Sequence, residues 1–220
     1  MLVRVRLFAM LRERAGAREI ELELPDGAQV SDALAAMSQL GDGLPLVMAV
    51  NRVYVRADAV LSPGDELALI PPVSGGEEDG GDQKDATLHA RVSDQPLRLD
   101  ELVARVTDPR AGAVVIFQGV TRTVARLEYE AYSEMAEAQM AAIVAAAIES
   151  HGLSRAAAEH RVGAVALSEP SVAVAVSAPH RGEAFAGARE IIDAIKAQAP
   201  IWKKEIEGGQ ATWVPGTPPR

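Results

Sequence analysis

The 220-residue sequence contains no cysteine. That single absence removes disulfides, thiolate metal ligands, thiol nucleophiles and persulfide carriers together, so any sulfur chemistry must use another atom. Histidine is sparse too. His89, His151, His160 and His180 show none of the tight spacings of a ligand set, so neither a metal nor a cofactor is expected. No apolar run approaches the roughly 18 residues that span a bilayer. The opening MLVRVRLFAML alternates charged with apolar residues, unlike the continuous apolar core of a signal peptide. The expectation is a cytoplasmic chain with no membrane partner. An excess of positive charge is also lacking: 22 Lys and Arg against 31 Asp and Glu leave a net charge of −9. That argues against nucleic acid as a partner, because a phosphate backbone needs a surplus of cations. A small anionic ligand stays admissible wherever cations cluster locally.

What is present suffices for packed cores: 48% of the residues are hydrophobic, over a length that suits one large domain or two modest ones. The clearest boundary is Glu77 to Ala86, EEDGGDQKDA, with five acidic residues and no large apolar side chain, which reads as a solvated linker. It carries −4 of the net charge, against −3 for residues 1–76 and −2 for residues 87–220.

In the first segment, Leu2 to Phe8 and Glu19 to Leu24 alternate with the period of half-buried strands. Pro25, Asp26 and Gly27 stop the second of them. Val30, Leu34 and Met37 at helical spacing predict a helix over Val30 to Leu40, with Ser31 as its N-cap. Short strands follow at Leu46 to Val50 and Glu66 to Ile70. This is the element order of a small β-grasp, and it ends in Pro71-Pro72-Val73-Ser74-Gly75-Gly76, which continues neither sheet nor helix. In the second segment, strands are expected at Ala113 to Phe117, Leu127 to Ala131, His160 to Leu167 and Val172 to Ser177. Helices are expected at Met135 to Ile148 and Gly182 to Gln198. The fold class is α+β: a ubiquitin-like β-grasp followed by a domain with a largely antiparallel sheet.

Two glycines on a proline-initiated tail have a physical use, since without β-carbons they thread a narrow channel and present a backbone carboxyl group. The plain alternative is that Gly75-Gly76 begins the linker. Position favours the first reading, because the pair falls just after the last strand of a β-grasp.

At this point a resemblance is clear. Residues 1–76, closing on Ile70-Pro71-Pro72-Val73-Ser74-Gly75-Gly76, resemble the small subunit of molybdopterin synthase, and residues 87–220 resemble its large, catalytic subunit. The second match is carried by blocks in order: Gly112 to Gly119 with Arg122, Leu127-Glu128-Tyr129-Glu130-Ala131-Tyr132, His160-Arg161-Val162-Gly163, Ser177-Ala178-Pro179-His180-Arg181, and Lys196 through Ala199-Pro200-Ile201-Trp202-Lys203-Lys204-Glu205.

The resemblance implies a sulfurtransferase that places two sulfurs on cyclic pyranopterin monophosphate, forming the dithiolene of molybdopterin. The sulfur would arrive as a thiocarboxylate on Gly76, installed by a separate ATP-dependent adenylating enzyme, which fits a chain with no thiol of its own. Lys196 and Lys203 resemble the family's essential lysines, near the incoming thiocarboxylate. Arg122, His180 and Arg181 match substrate-binding positions, and guanidinium groups suit an anionic pterin phosphate. The plain reading of each, taken alone, is a solvated surface group.

One helix over Gly182 to Gln198 would set Arg181 and Lys196 about 22 Å apart at 1.5 Å per residue. A site using both therefore expects a homodimer, with Arg122, Lys196 and Lys203 from one copy and His180 and Arg181 from its mate. The sequence departs from the family pattern twice. Only Thr123 to Arg126 separate Arg122 from the Leu127 block, where the family has a longer loop, and Gly76 is in peptide linkage to Glu77. The fusion expects a processing protease acting after Gly76 in the acidic linker. Without cleavage, residues 1–76 would be a docking module beside a catalytic domain fed by another carrier. A non-enzymatic pair of interaction domains is the remaining alternative.

Overall fold

The computed structural model describes residues 1–41, 44–71 and 87–214. The Gly75-Gly76 pair and the acidic linker lie outside these residues.

The N-terminal part runs β1 (Leu2–Leu7), α1 (Ala9–Ala15), β2 (Glu19–Glu23), α2 (Val30–Ala36), α3 (Ser38–Gly41), β3 (Val47–Val50), β4 (Val53–Val55) and β5 (Glu66–Ile70). Its sheet has the order β2-β1-β5-β3-β4, with β1 parallel to β5 and the other pairs antiparallel. Alternation in β1 buries Val3, Val5 and Leu7 against Val30, Ala33 and Met37 of the helical segment. Several details differ from the sequence expectations, among them the additional strand β4. The α2 N-cap is Gln29 rather than Ser31: the Gln29 N–H donates to Asp32 at 2.8 Å, and the Gln29 side chain accepts from the backbone there, a reciprocal capping box. The helix breaks at Met37 instead of continuing to Leu40. A short α1, closed by Gly16 at φ 66°, stands where no helix is expected.

The C-terminal part runs β6 (Leu88–Ser93), α4 (Leu99–Val106), β7 (Ala113–Val120), β8 (Arg126–Ala131), α5 (Ser133–His151), β9 (Arg155–Arg161), β10 (Gly163–Ala166), β11 (Pro170–Ala178), α6 (Arg181–Gln198), β12 (Ile201–Glu207) and β13 (Gln210–Trp213). It builds two four-stranded sheets, β6-β9-β11-β7 and β10-β8-β12-β13, antiparallel except for β6 with β9. The single strand expected over His160 to Leu167 is two strands in different sheets. Gly163, at φ 80°, turns the chain from one to the other.

Side-chain parity sorts the first sheet's faces. Ala156, Ala158, Val172, Val174 and Val176 pack under α5 and α6, whereas Ala157, Ala173 and Ala175 meet Leu102 and Val106 of α4. None of the helices among the described residues is long and apolar enough to cross a membrane.

The two parts meet through an aromatic stack. The Phe8 ring lies 4.8 Å from that of Tyr132 and 5.3 Å from that of Trp202, centroid to centroid. The Arg6 guanidinium sits 4.4 Å over the Tyr132 ring. Around this stack, Trp202 Nε1 donates to the Pro71 carbonyl at 3.1 Å, Arg12 pairs with Glu130 at 2.8 Å, and the Ala9 N–H donates to Glu130 at 3.2 Å. The Tyr132 hydroxyl donates to Glu66, and burial together with that carboxylate pushes the phenol up to about 12. Trp213 packs at the margin, its Nε1 donating to Glu13, which also pairs with Lys204.

Candidate functional site

Strand β12 is the wall that both parts share. Successive side chains of a strand point to opposite faces, and here Trp202 and Lys204 turn to the N-terminal part while Ile201, Lys203, Glu205 and Glu207 turn the other way. The latter four line a cavity of about 710 Å³. Its remaining walls come from the end of β7, the 122–124 loop, β8, the end of β9, the start of β11 and the last turn of α6.

Three cations expected from the sequence converge there: Arg122 from the loop after β7, Lys196 from the last turn of α6, and Lys203 from β12. Among the described residues none of the three has a salt-bridge partner, although other cations of the chain are paired. The Lys196 ammonium lies 5.9 Å from the centroid of the Phe117 ring. The short loop after Arg122 is folded into the wall, with Val124 buried and lining the cavity, so the shortened connection still delivers Arg122 to it. Gly119 is needed for closeness: a β-carbon there would come within 2.6 Å of Val172, its cross-strand partner on β11.

His180 and Arg181 are elsewhere. His180 is the N-cap of α6 and Arg181 its first residue, both exposed, at the opposite end of the helix from Lys196. The structure thus brings together three of the expected residues and leaves these two about 22 Å away along the helix. Gly76 lies outside the described residues.

Three uncharged polar residues of the cavity were not singled out by the sequence reading. His160, the penultimate residue of β9, is only 6% exposed, and its Nδ1 lies 2.9 Å from the Arg161 carbonyl. Burial, reinforced by the nearby Lys196 charge, lowers its pKa to about 4, so the ring is neutral around pH 7. Tyr129, directly across from Lys203 in the β8–β12 register, meets the His160 ring edge-on at 5.0 Å. Burial raises its phenol above the ordinary range. The buried Ser171 hydroxyl lies 3.0 Å from the Tyr129 hydroxyl and 3.3 Å from the Gly119 carbonyl. The cavity therefore has a rim whose three cations outnumber the carboxylates of Glu205 and Glu207, a net positive charge suited to an anion, and a neutral, hydrogen-bonding wall.

Two family models match the sequence: the MoaE protein over residues 92–198 and the ThiS family over residues 5–76. The molybdopterin synthase catalytic subunit of Thermoplasma volcanium is 41% identical over 132 residues, covering 57% of this chain and 96% of the relative. The molybdopterin synthase catalytic subunit 1 of Mycobacterium tuberculosis is 39% identical over 136 residues, covering 59% of this chain and 92% of the relative. Among solved structures, molybdopterin synthase from Staphylococcus aureus aligns with a TM-score of 0.56 at 31% identity, covering 60% of this chain and 99% of that one.

Proposed function

Since the chain belongs to the family of molybdopterin synthase catalytic subunits and carries a ThiS-family region ahead of that domain, we propose that it transfers sulfur to cyclic pyranopterin monophosphate. The sulfur donor in this reading is a thiocarboxylate on Gly76, formed by a separate ATP-dependent enzyme once the chain has been cut after that residue. Residues 1–76 are then the carrier, 77–86 the linker and 87–220 the catalytic domain.

The observation that carries the proposal is the two-faced strand β12. One face holds the N-terminal part, Trp202 gripping the Pro71 carbonyl at the base of the tail, and the other presents Lys203 to a cavity shared with Lys196 and Arg122. Gly76 is five residues beyond Pro71, a reach of up to about 17 Å. The anionic end of the substrate would take the guanidinium of Arg122, while Lys196 and Lys203 would hold the thiocarboxylate charge and stabilise intermediates. His180 and Arg181, distant within one chain, would enter from a second copy in a homodimer.

Intact mass spectrometry of the protein from its native cell tests this. A fragment ending at Gly76 and heavier than its carboxylate form by the difference between sulfur and oxygen is the expected result. An uncut chain in a cell that still makes the cofactor would overturn the carrier role and favour the second reading, a catalytic domain fed by another carrier. The peptide bond from Gly76 to Glu77 is the observation that keeps that reading open.

A further inference from the structure

Among the polar groups of the cavity, the His160 imidazole stands apart because its second nitrogen is unused. A carbonyl oxygen only accepts hydrogen bonds, so the 2.9 Å contact to the Arg161 carbonyl places the ring hydrogen on Nδ1. In a neutral ring Nε2 then carries a lone pair. Nε2 has no hydrogen-bond partner among the described residues, and His160 is more than nine-tenths buried in the wall of the cavity. The nitrogen is not among the sealed, unpaired polar atoms of the described residues, so it keeps contact with the cavity, where a ligand with a matching donor can pair it. The ring is also held in place: the strand fixes its backbone and the Tyr129 ring meets it edge-on at 5.0 Å.

The chemistry of the acceptor selects its ligand. A lone pair cannot donate to a phosphate or thiocarboxylate oxygen, so His160 is unsuited to the anion that Arg122, Lys196 and Lys203 attract. It suits an N–H. A pterin has such donors on its ring and its exocyclic amine, and it joins them to an anionic phosphate in one molecule. We propose that His160 is a substrate-binding residue that accepts a hydrogen bond at Nε2 from an N–H of the pterin ring, orienting the ring while the cationic rim holds the phosphate. This inference rests on the pterin substrate proposed above.

Calorimetric titration of the full chain with cyclic pyranopterin monophosphate, and separately with inorganic phosphate, tests it with two variants. A glutamine amide oxygen can occupy the position of Nε2, so His160→Gln is expected to bind the pterin within about threefold of the wild type, whereas His160→Leu is expected to bind at least about tenfold more weakly. Phosphate affinity should be unchanged in both. Wild-type affinity for the pterin in His160→Leu would overturn the inference alone. So would a parallel loss of phosphate affinity, because the cavity itself would then have been disturbed. A wild-type chain that does not bind the pterin would overturn the functional reading, and this inference with it.

Discussion

At the scale of single residues, His160 couples the cavity to the stability of the fold. In the unfolded chain its pKa is near 6.5, and in the folded protein it falls to about 4. Between those values the unfolded state binds more protons, so the stabilising contribution is complete above about pH 6.5 and is lost as pH falls toward 4. The loss amounts to about 3 kcal/mol at most. Thermal unfolding of the wild type and of His160→Gln from pH 4 to 7 should therefore show a shallower acid-side decline in the variant. Parallel curves would mean that His160 titrates normally. The contrast with Asp108 is instructive, since there hydrogen bonds from Arg110 hold the carboxyl well below its usual range and stabilise charge instead of excluding it.

At the scale of elements, β12 makes a prediction by parity. Lys203→Ala removes a cavity cation and should abolish most sulfur transfer while moving the melting temperature little. Trp202→Ala, one residue away, removes the indole that stacks on Phe8 and holds Pro71, and should destabilise the protein by about 3–5 kcal/mol. Activity assays and thermal melts on the two variants separate the faces; a large drop in melting temperature for Lys203→Ala would contradict the assignment.

Much of this level was legible in the sequence. The long helices α5 and α6 and the strand β1 are legible by period, and β11 by its alternation of Val with Ala, although both faces of β11 are buried. The short α1 and the Gln29 cap were not legible, since a seven-residue helix gives little periodicity and glutamine is an uncommon cap. Arg122, Lys196 and Lys203, which line one cavity, stand in motif blocks of the sequence. His160 lies inside one of those blocks, where alternation predicts a continuous strand, and only the turn at Gly163 leaves it at a strand end facing a cavity. The available signal was that glycine, which could have marked a break instead of an uninterrupted strand.

For the whole molecule, the length of α6 is the decisive dimension. It separates His180 and Arg181 from the cationic cavity, so a site using all five residues needs two chains. Edge strand β7 exposes an apolar row, Val114, Ile116 and Val120 at 47%, 44% and 50%, where a second copy would be expected to pack. Mixing His180→Ala with Lys196→Ala chains under subunit exchange should restore activity to about a quarter of the wild-type level, since half of the dimers are mixed and each mixed dimer regains one of two sites. Persistent inactivity despite demonstrated exchange would place the complete site within one chain.

Strand β12 also constrains how such a sequence can change over generations. Substitutions on its two faces are separable, so contact with the N-terminal part and the lining of the cavity can drift independently. Insertions and deletions are not. Adding or removing one residue before Trp202 would exchange the faces, turning the indole into the cavity and Lys203 into the apolar stack, and both roles would fail together. Length variation among descendants of this chain should therefore stop at the borders of β12.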